Sequence, residues 1–303
     1  MLKSCIALLF LLLSPVFFQA RAQEQEVLAY HLRLGDLFTV EEQAEQLITQ
    51  QMEGSEHRIT NRISARLQFK VVGKRDSTYL LDFEFKDLVF TIVSNLQGEL
   101  LNIRAKELDP ADVQSRLFNS LLNTPIRMEL SPRGEILRVK GGDSLVSRML
   151  ASTGLEDGFA KDLIRHSLER EYGSQALADS YEQLTYFYPS GCVQVGDHWN
   201  NSFQGKLEAS NTWTLDSLLP DRALISGEAA IRMNTEESGT SMVLEGTQHT
   251  RIKTDRTSGI ISRMTVQSDA EGISTLAQSG TRKIPTRISN RISYTLIDFK
   301  HVQ

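Results

Sequence analysis

Residues 58–71 read RITNRISARLQFKV. Odd positions carry Ile59, Asn61, Ile63, Ala65, Leu67, Phe69 and Val71. Even positions carry Arg58, Thr60, Arg62, Ser64, Arg66, Gln68 and Lys70. Successive side chains of a strand point to opposite faces, so this alternation predicts a long half-buried strand with a basic outer face. After a short connection comes TYLLDFEFK, with Tyr79, Leu81, Phe83 and Phe85 on one face and Asp82, Glu84 and Lys86 on the other. The two runs predict an antiparallel hairpin whose outer faces oppose Arg and Lys to Asp and Glu.

Working outward, residues 37–52 show a weaker alternation, with a turn at Gly54. Period two returns after residue 200, at 206–215, 223–233, 241–254, 259–268 and 284–299. Between these β-rich sections the period is helical. Asp109-Pro110 reads as a helix start. Stripes follow at Val113, Leu117, Phe118, Leu121 and Leu122; at Leu145, Val146, Met149 and Leu150; at Phe159, Leu163, Ile164 and Leu168; and at Leu177, Tyr181 and Leu184. Such one-sided stripes belong to helices packed on something. TPIRMELSPRGEILRV adds one hairpin, turning at SPRG. The chain echoes itself twice: RLGDLFTV (33–40) with QVGDHWNN (194–201), and ITNRIS (59–64) with ISNRIS (288–293).

The first residues are MLKSCIALLFLLLSPVFFQARA. A basic residue, a short apolar run and a small-x-small site form a secretory leader, expected to be cut after Ala22. The run is shorter than the roughly 20 residues of a spanning helix. Cys5 precedes it, so no lipid-modified N-terminal cysteine is expected. Cleavage removes Lys3 and Arg21, leaving 31 basic residues against 38 acidic. That balance gives no nucleic-acid footprint. A single cysteine, Cys192, excludes an internal disulfide in the exported chain. The expected organisation is a signal peptide at 1–22 and one exported domain at 23–303. That domain comprises a β-section at 27–108, a helical insert with one hairpin at 109–187, and a β-section at 188–303.

The chemistry-bearing residues are sparse. Cys192, Asp197 and His198 cluster in YPSGCVQVGDHW. A thiol nucleophile needs an imidazole in reach of its sulfur, oriented by a third group. Adjacent Asp197 and His198 would point opposite ways in a strand, and Gly191 and Gly196 mark turns, so the stretch reads as a junction. The histidines are scattered, without the spacing of a metal site, and no G-x-S-x-G occurs. Gly141-Gly142-Asp143-Ser144 lacks the P-loop lysine and reads as a helix cap. Paired carboxylates such as Glu41-Glu42 read as solvated faces. No catalytic residue, metal site or cofactor is predicted. Asn61 and Asn290 fall in phase with the apolar faces of their strands, where an unpaired amide costs about 1–3 kcal/mol. Together with Phe69, Phe83 and Trp213 they form the candidate ligand-lining set.

YFYPSGCVQVGDHW, LRLGDLFTV, LDPADV and MELSPRGEILRVKGGDSL, after an export signal, resemble an unknown-function family of exported bacterial proteins common in Bacteroidota. Its pattern is similar at fold level to the curved open-barrel sheets of periplasmic lipoprotein carriers. The resemblance implies no site residues.

The expected fold is α+β: long antiparallel strands in a strongly curved sheet or half-barrel, or two packed sheets, with a helical insert covering one face. The expected function is a non-enzymatic cell-envelope protein, periplasmic or secreted, soluble and not lipid-anchored. It would bind a lipid or other apolar ligand between sheet and helices. The alternative is a structural or interaction module of an envelope or secretion assembly with a protein partner. A hydrolase with dispersed residues is the third reading. No nucleic acid is expected as partner, and no transmembrane segment after leader cleavage.

Overall fold

The structure is a computed structural model that describes residues 25–52, 54–237, 240–276 and 282–302. The expected leader lies outside the described residues. The run at 58–71 belongs to β3 (Ser55–Arg75), which pairs antiparallel with β2 (Asp36–Met52) and β4 (Thr78–Ser94). β5 (Gly98–Arg104) and β6 (Ile126–Leu130) pair with different parts of β4, and β7 (Ile136–Lys140) pairs with β6. The later strands are β9 (His198–Phe203), β10 (Leu207–Leu218), β11 (Arg222–Glu237), β12 (Thr240–Asp255), β13 (Ile261–Leu276) and β14 (Arg282–His301). All join one open, curved twelve-stranded sheet, eleven of them in the order β7-β6-β4-β3-β2-β14-β13-β12-β11-β10-β9 and β5 beside β4 off that path. β14 closes the seam by pairing with β2, so the two β-sections share one sheet rather than packing as two. β1 (Glu26–Val27) and β8 (Cys192–Val193) form a separate small ladder.

The helices are α1 (Val113–Leu121), α2 (Gly142–Ser152), α3 (Phe159–Tyr172) and α4 (Ser174–Thr185). α2 buries Leu145, Val146, Met149 and Leu150, and α4 buries Leu177, Tyr181 and Leu184, as their stripes predict. They join the core built on one end of the sheet's inner face. In register there, Phe38, Phe69 and Phe83 form a ladder with successive ring centroids 5.1 Å apart, and Tyr181 of α4 lies 4.6 Å from Phe83. Rings at these spacings add about 0.5–1.5 kcal/mol per pair beyond their burial.

Three expectations need correction. α1 is capped by Asp112, which accepts from the backbone N–H of Gln114 and Ser115, and not by Asp109. Asp109 instead closes the preceding turn through Ala111 N–H. On α3, Phe159 and Leu163 are exposed, and the side that packs carries Leu168, Ile164 and Tyr172. Glu42 is not on a solvated face. β2 directs it inward, in register with Ala65 and Tyr294. The alternation of β2 is weak because its inward face mixes Glu42, Gln46 and Gln50 with Phe38, Val40 and Ile48.

Both echoes have a geometric meaning. Gly35 and Gly196 hold φ near +90°, a conformation open to glycine. In each turn the following Asp accepts from the N–H three residues back: Arg33 to Asp36 at 2.7 Å, and Gln194 to Asp197 at 3.0 Å. ITNRIS and ISNRIS lie on β3 and β14, which flank β2 at one level. Ile48 opposes both Ile59 and Ile288, Gln46 opposes both asparagines, and Ala44 opposes both Ile63 and Ile292.

Candidate functional site

The same inner face that forms the core continues toward the other end of the strands. There Ile59, Ile63, Ile48 and Ile292 are only half-buried. Between the Ile48 and Ala44 levels runs a polar row in register: Asn61, Gln46, Asn290, Ser268 and Gln248, from β3 to β12. Asn61 donates to Gln46 Oε1 at 2.9 Å, and Asn290 donates to Ser268 Oγ at 3.0 Å. The two asparagines thus bond to cross-strand side chains and not to each other. Asn61 Oδ1 is buried without a partner among the described residues. One row of amides embedded between two apolar rows offers an amphipathic molecule both kinds of contact.

At the boundary between this region and the core sits Glu42, whose carboxyl faces Tyr294 Oη at 3.4 Å. Burial pushes its pKa up to about 7, and the hydrogen bond from Tyr294 opposes the shift only in part. The buried Tyr181 and the half-buried Tyr294 beside this carboxyl are pushed well above the usual tyrosine range, chiefly by desolvation. Glu42 therefore changes charge near neutrality at the point where core gives way to the polar row. Sequence reading missed it; the phase of β2 from Phe38 to Ile48 was the signal.

The remaining candidates sit in the packed end. Phe69 and Phe83 belong to the aromatic ladder and are at most 4% exposed. Trp213 is buried against Phe187 and donates to Asn201 Oδ1 at 2.9 Å. Its indole lies on Gly227, where a Cβ would come within 2.3 Å of the ring, so only glycine fits. The space between sheet and helices that Phe69 lines measures about 40 Å³. That holds a few waters, against the 300–1,000 Å³ typical of ligand sites.

YPSGCVQVGDHW is a packing junction. Phe187 and Tyr188 are buried, Trp199 donates to the Phe187 carbonyl at 2.8 Å, and Tyr188 donates to the Gly259 carbonyl at 2.7 Å. Cys192 is exposed on β8, Asp197 serves its turn, and His198 bonds Thr214 Oγ1 at 2.8 Å. No group of three or more metal-ligating side chains occurs among the described residues, and no helix there is long and apolar enough to cross a membrane.

A family model described as "Family of unknown function (DUF6263)" matches residues 76–261, from the β3–β4 turn through the helices to the start of β13. The chain belongs to this family. No curated protein matches it in sequence. Among solved structures, one described as "Lipid-protein interactions in lipovitellin" is similar with a TM-score of 0.50 and 9% identity. The match covers 89% of this chain and 26% of that one, so this chain spans about a quarter of its length. At that identity the likeness is one of fold. The outer membrane channel COG4313 from Pseudomonas putida F1 aligns over 89% of this chain and 98% of its own, at 9% identity and a TM-score of 0.25. A score that low carries no argument.

Proposed function

We propose that this chain is a non-enzymatic, exported protein of the cell envelope that holds a lipid or other amphipathic ligand on the inner face of its sheet. The ligand's place is the region of Ile48, Ile59, Ile63 and Ile292, beyond the helices. The observation that carries the reading is the embedded row of Gln46, Asn61 and Asn290 beside the half-buried Ile48, Ile59, Ile63 and Ile292, on the face that is fully buried from Leu67 to Val71. Apolar area there is incompletely buried, and covering it gains about 25 cal/mol per Å². The unpaired Asn61 Oδ1 offers an acceptor to a headgroup or linkage N–H or O–H. The similarity to a structure concerned with lipid–protein interactions agrees with the reading at the level of fold. The filled space under the helices argues against a ligand buried there.

That filled core also favours a second reading, an envelope interaction module whose partner is a protein. Native mass spectrometry of the purified chain, followed by organic extraction, separates the two. The lipid reading expects a saturable, extractable amphipathic species, lost on changing Ile59 and Ile63 to Asp. Absence of any such species after incubation with mixed lipids would favour the protein partner.

A further inference from the structure

The outward face of the same strands carries a different feature. A twisted sheet is saddle-shaped, so its outward side is also hollowed along one diagonal. One hollow of about 620 Å³ spans β4, β3, β2, β14 and β13, and three arginines line it: Arg62, Arg263 and Arg291. Thr265 and Gln267 on its floor also line an adjoining hollow of about 390 Å³ that reaches Arg251.

The charge arrangement is unusual for this chain. Its formal net charge is −5, and many of its exposed cations face a carboxylate, as Arg62 faces Glu45 at 2.7 Å, Arg287 faces Asp269 and Arg127 faces Asp82. Arg263, Arg291 and Arg251 are exposed, and their side chains make no ion pair or hydrogen bond among the described residues. In register, Arg62 and Arg291 flank Glu45, whose carboxylate pairs with Arg62 and leaves Arg291 without a counter-charge. Arg291 opposes Gln267 on β13, and Arg263 lies four residues farther along that strand. At about 3.4 Å per residue, the two guanidinium attachment points are separated by roughly 14 Å along the sheet. Hydroxyl and amide groups of Ser64, Ser293, Thr265 and Gln43 lie between and beside them.

We propose that this hollow binds an extended polyanionic oligosaccharide, with sulfate or phosphate groups on Arg263 and Arg291 and sugar hydroxyls on the Ser, Thr and Gln side chains. A guanidinium presents a planar fork that matches sulfate and phosphate oxygens. The spacing of the arginines suits a ligand with anionic groups on separate residues, and a single small anion would reach only one of them. The arginines and hydroxyls it uses alternate with the inward-facing Ala44, Ile63 and Ile292 whose backbone it shares, and the proposal does not depend on the lipid reading.

The test is calorimetric titration of the full chain with a heparin-derived hexasaccharide at low salt. The wild type is expected to bind, with affinity falling as salt rises. R263Q/R291Q should bind at least about tenfold more weakly, the loss expected when charge-assisted hydrogen bonds go. Its thermal midpoint should be unchanged, because neither side chain has a partner to lose. R75Q/R138Q, which removes two exposed arginines outside the hollow, should bind like the wild type. No binding by the wild type, equal weakening in the two double variants, or undiminished binding by R263Q/R291Q would overturn the proposal. So would binding to phosphatidylglycerol vesicles with none to the hexasaccharide, which would make the hollow a membrane contact.

Discussion

The two ends of β3 share one alternation and differ in what it achieves. From Leu67 to Val71 the inward side chains are at most 4% exposed, locked among aromatic rings and helices α2 and α4. From Ile59 to Ile63 the same face is half-buried and includes an amide. Period two fixes which face a residue takes. What lies over that face decides whether the residue becomes core. The contrast lies on the β3 side of the sheet; farther across the same face Ile288 is buried in a second apolar cluster with Leu244 and Ile231, against which Ile48 packs.

Substitutions at the two ends should differ most. Phe83→Ala is expected to cost about 3–5 kcal/mol, as for a ring lost from a close-packed core, whereas Ile59→Ala should cost about 1–2. Urea unfolding of both variants measures the difference, and equal costs would erase the distinction between the ends.

Glu42 marks the boundary, and its effect depends on pH. A carboxyl whose pKa rises from 4.5 unfolded to about 7 folded takes up a proton on folding between those values. The associated stability is full below about pH 4.5 and is lost as pH rises through 7. Glu42→Gln should leave stability near pH 4 unchanged and raise it above pH 7 by at most about 3 kcal/mol. Parallel pH-stability curves for wild type and variant would place Glu42 in water rather than at the edge of the core.

Trp199→Ala removes a packed ring and its hydrogen bond to Phe187, and should cost about 2 kcal/mol in a thermal melt. Replacing both Gln46 and Asn61 by Leu should be neutral or stabilising by about 1 kcal/mol, because paired polar groups leave together with an unpaired oxygen. If that variant also loses its amphipathic ligand, the polar row is kept for binding rather than for stability. Cys192→Ser and His198→Gln should each stay within about 0.5 kcal/mol of wild type, as exposed side chains do.

Much of this organisation could be read from the chain. The alternation at 58–71 and its counterparts located most of the long strands, and the stripes of α2 and α4 named the residues that pack. β5 was not legible, because GELLNIR is short and exposes Leu100 as well as its charges. The stripe of α3 misled because Phe159 and Leu163 continue a helical spacing on a side that nothing in the described chain covers. The polar row was half legible. Asn61 and Asn290 stood out against their apolar neighbours, but Gln46 between them is identified only by the strand register. Glu42 looked solvated beside Glu41, since adjacent residues share a composition but not a face. The seam between β2 and β14 joins residues about 250 apart, a pairing no local pattern carries.

The central claim is that the ligand surface lies beyond the helices on the inner face. Photo-crosslinking with a diazirine-bearing fatty acid, mapped by peptide mass spectrometry, tests it directly. The account predicts saturable adducts in residues 44–50, 57–63 and 286–292. Adducts confined to α2, α4 and the strands beneath them, or labelling that never saturates, would contradict it.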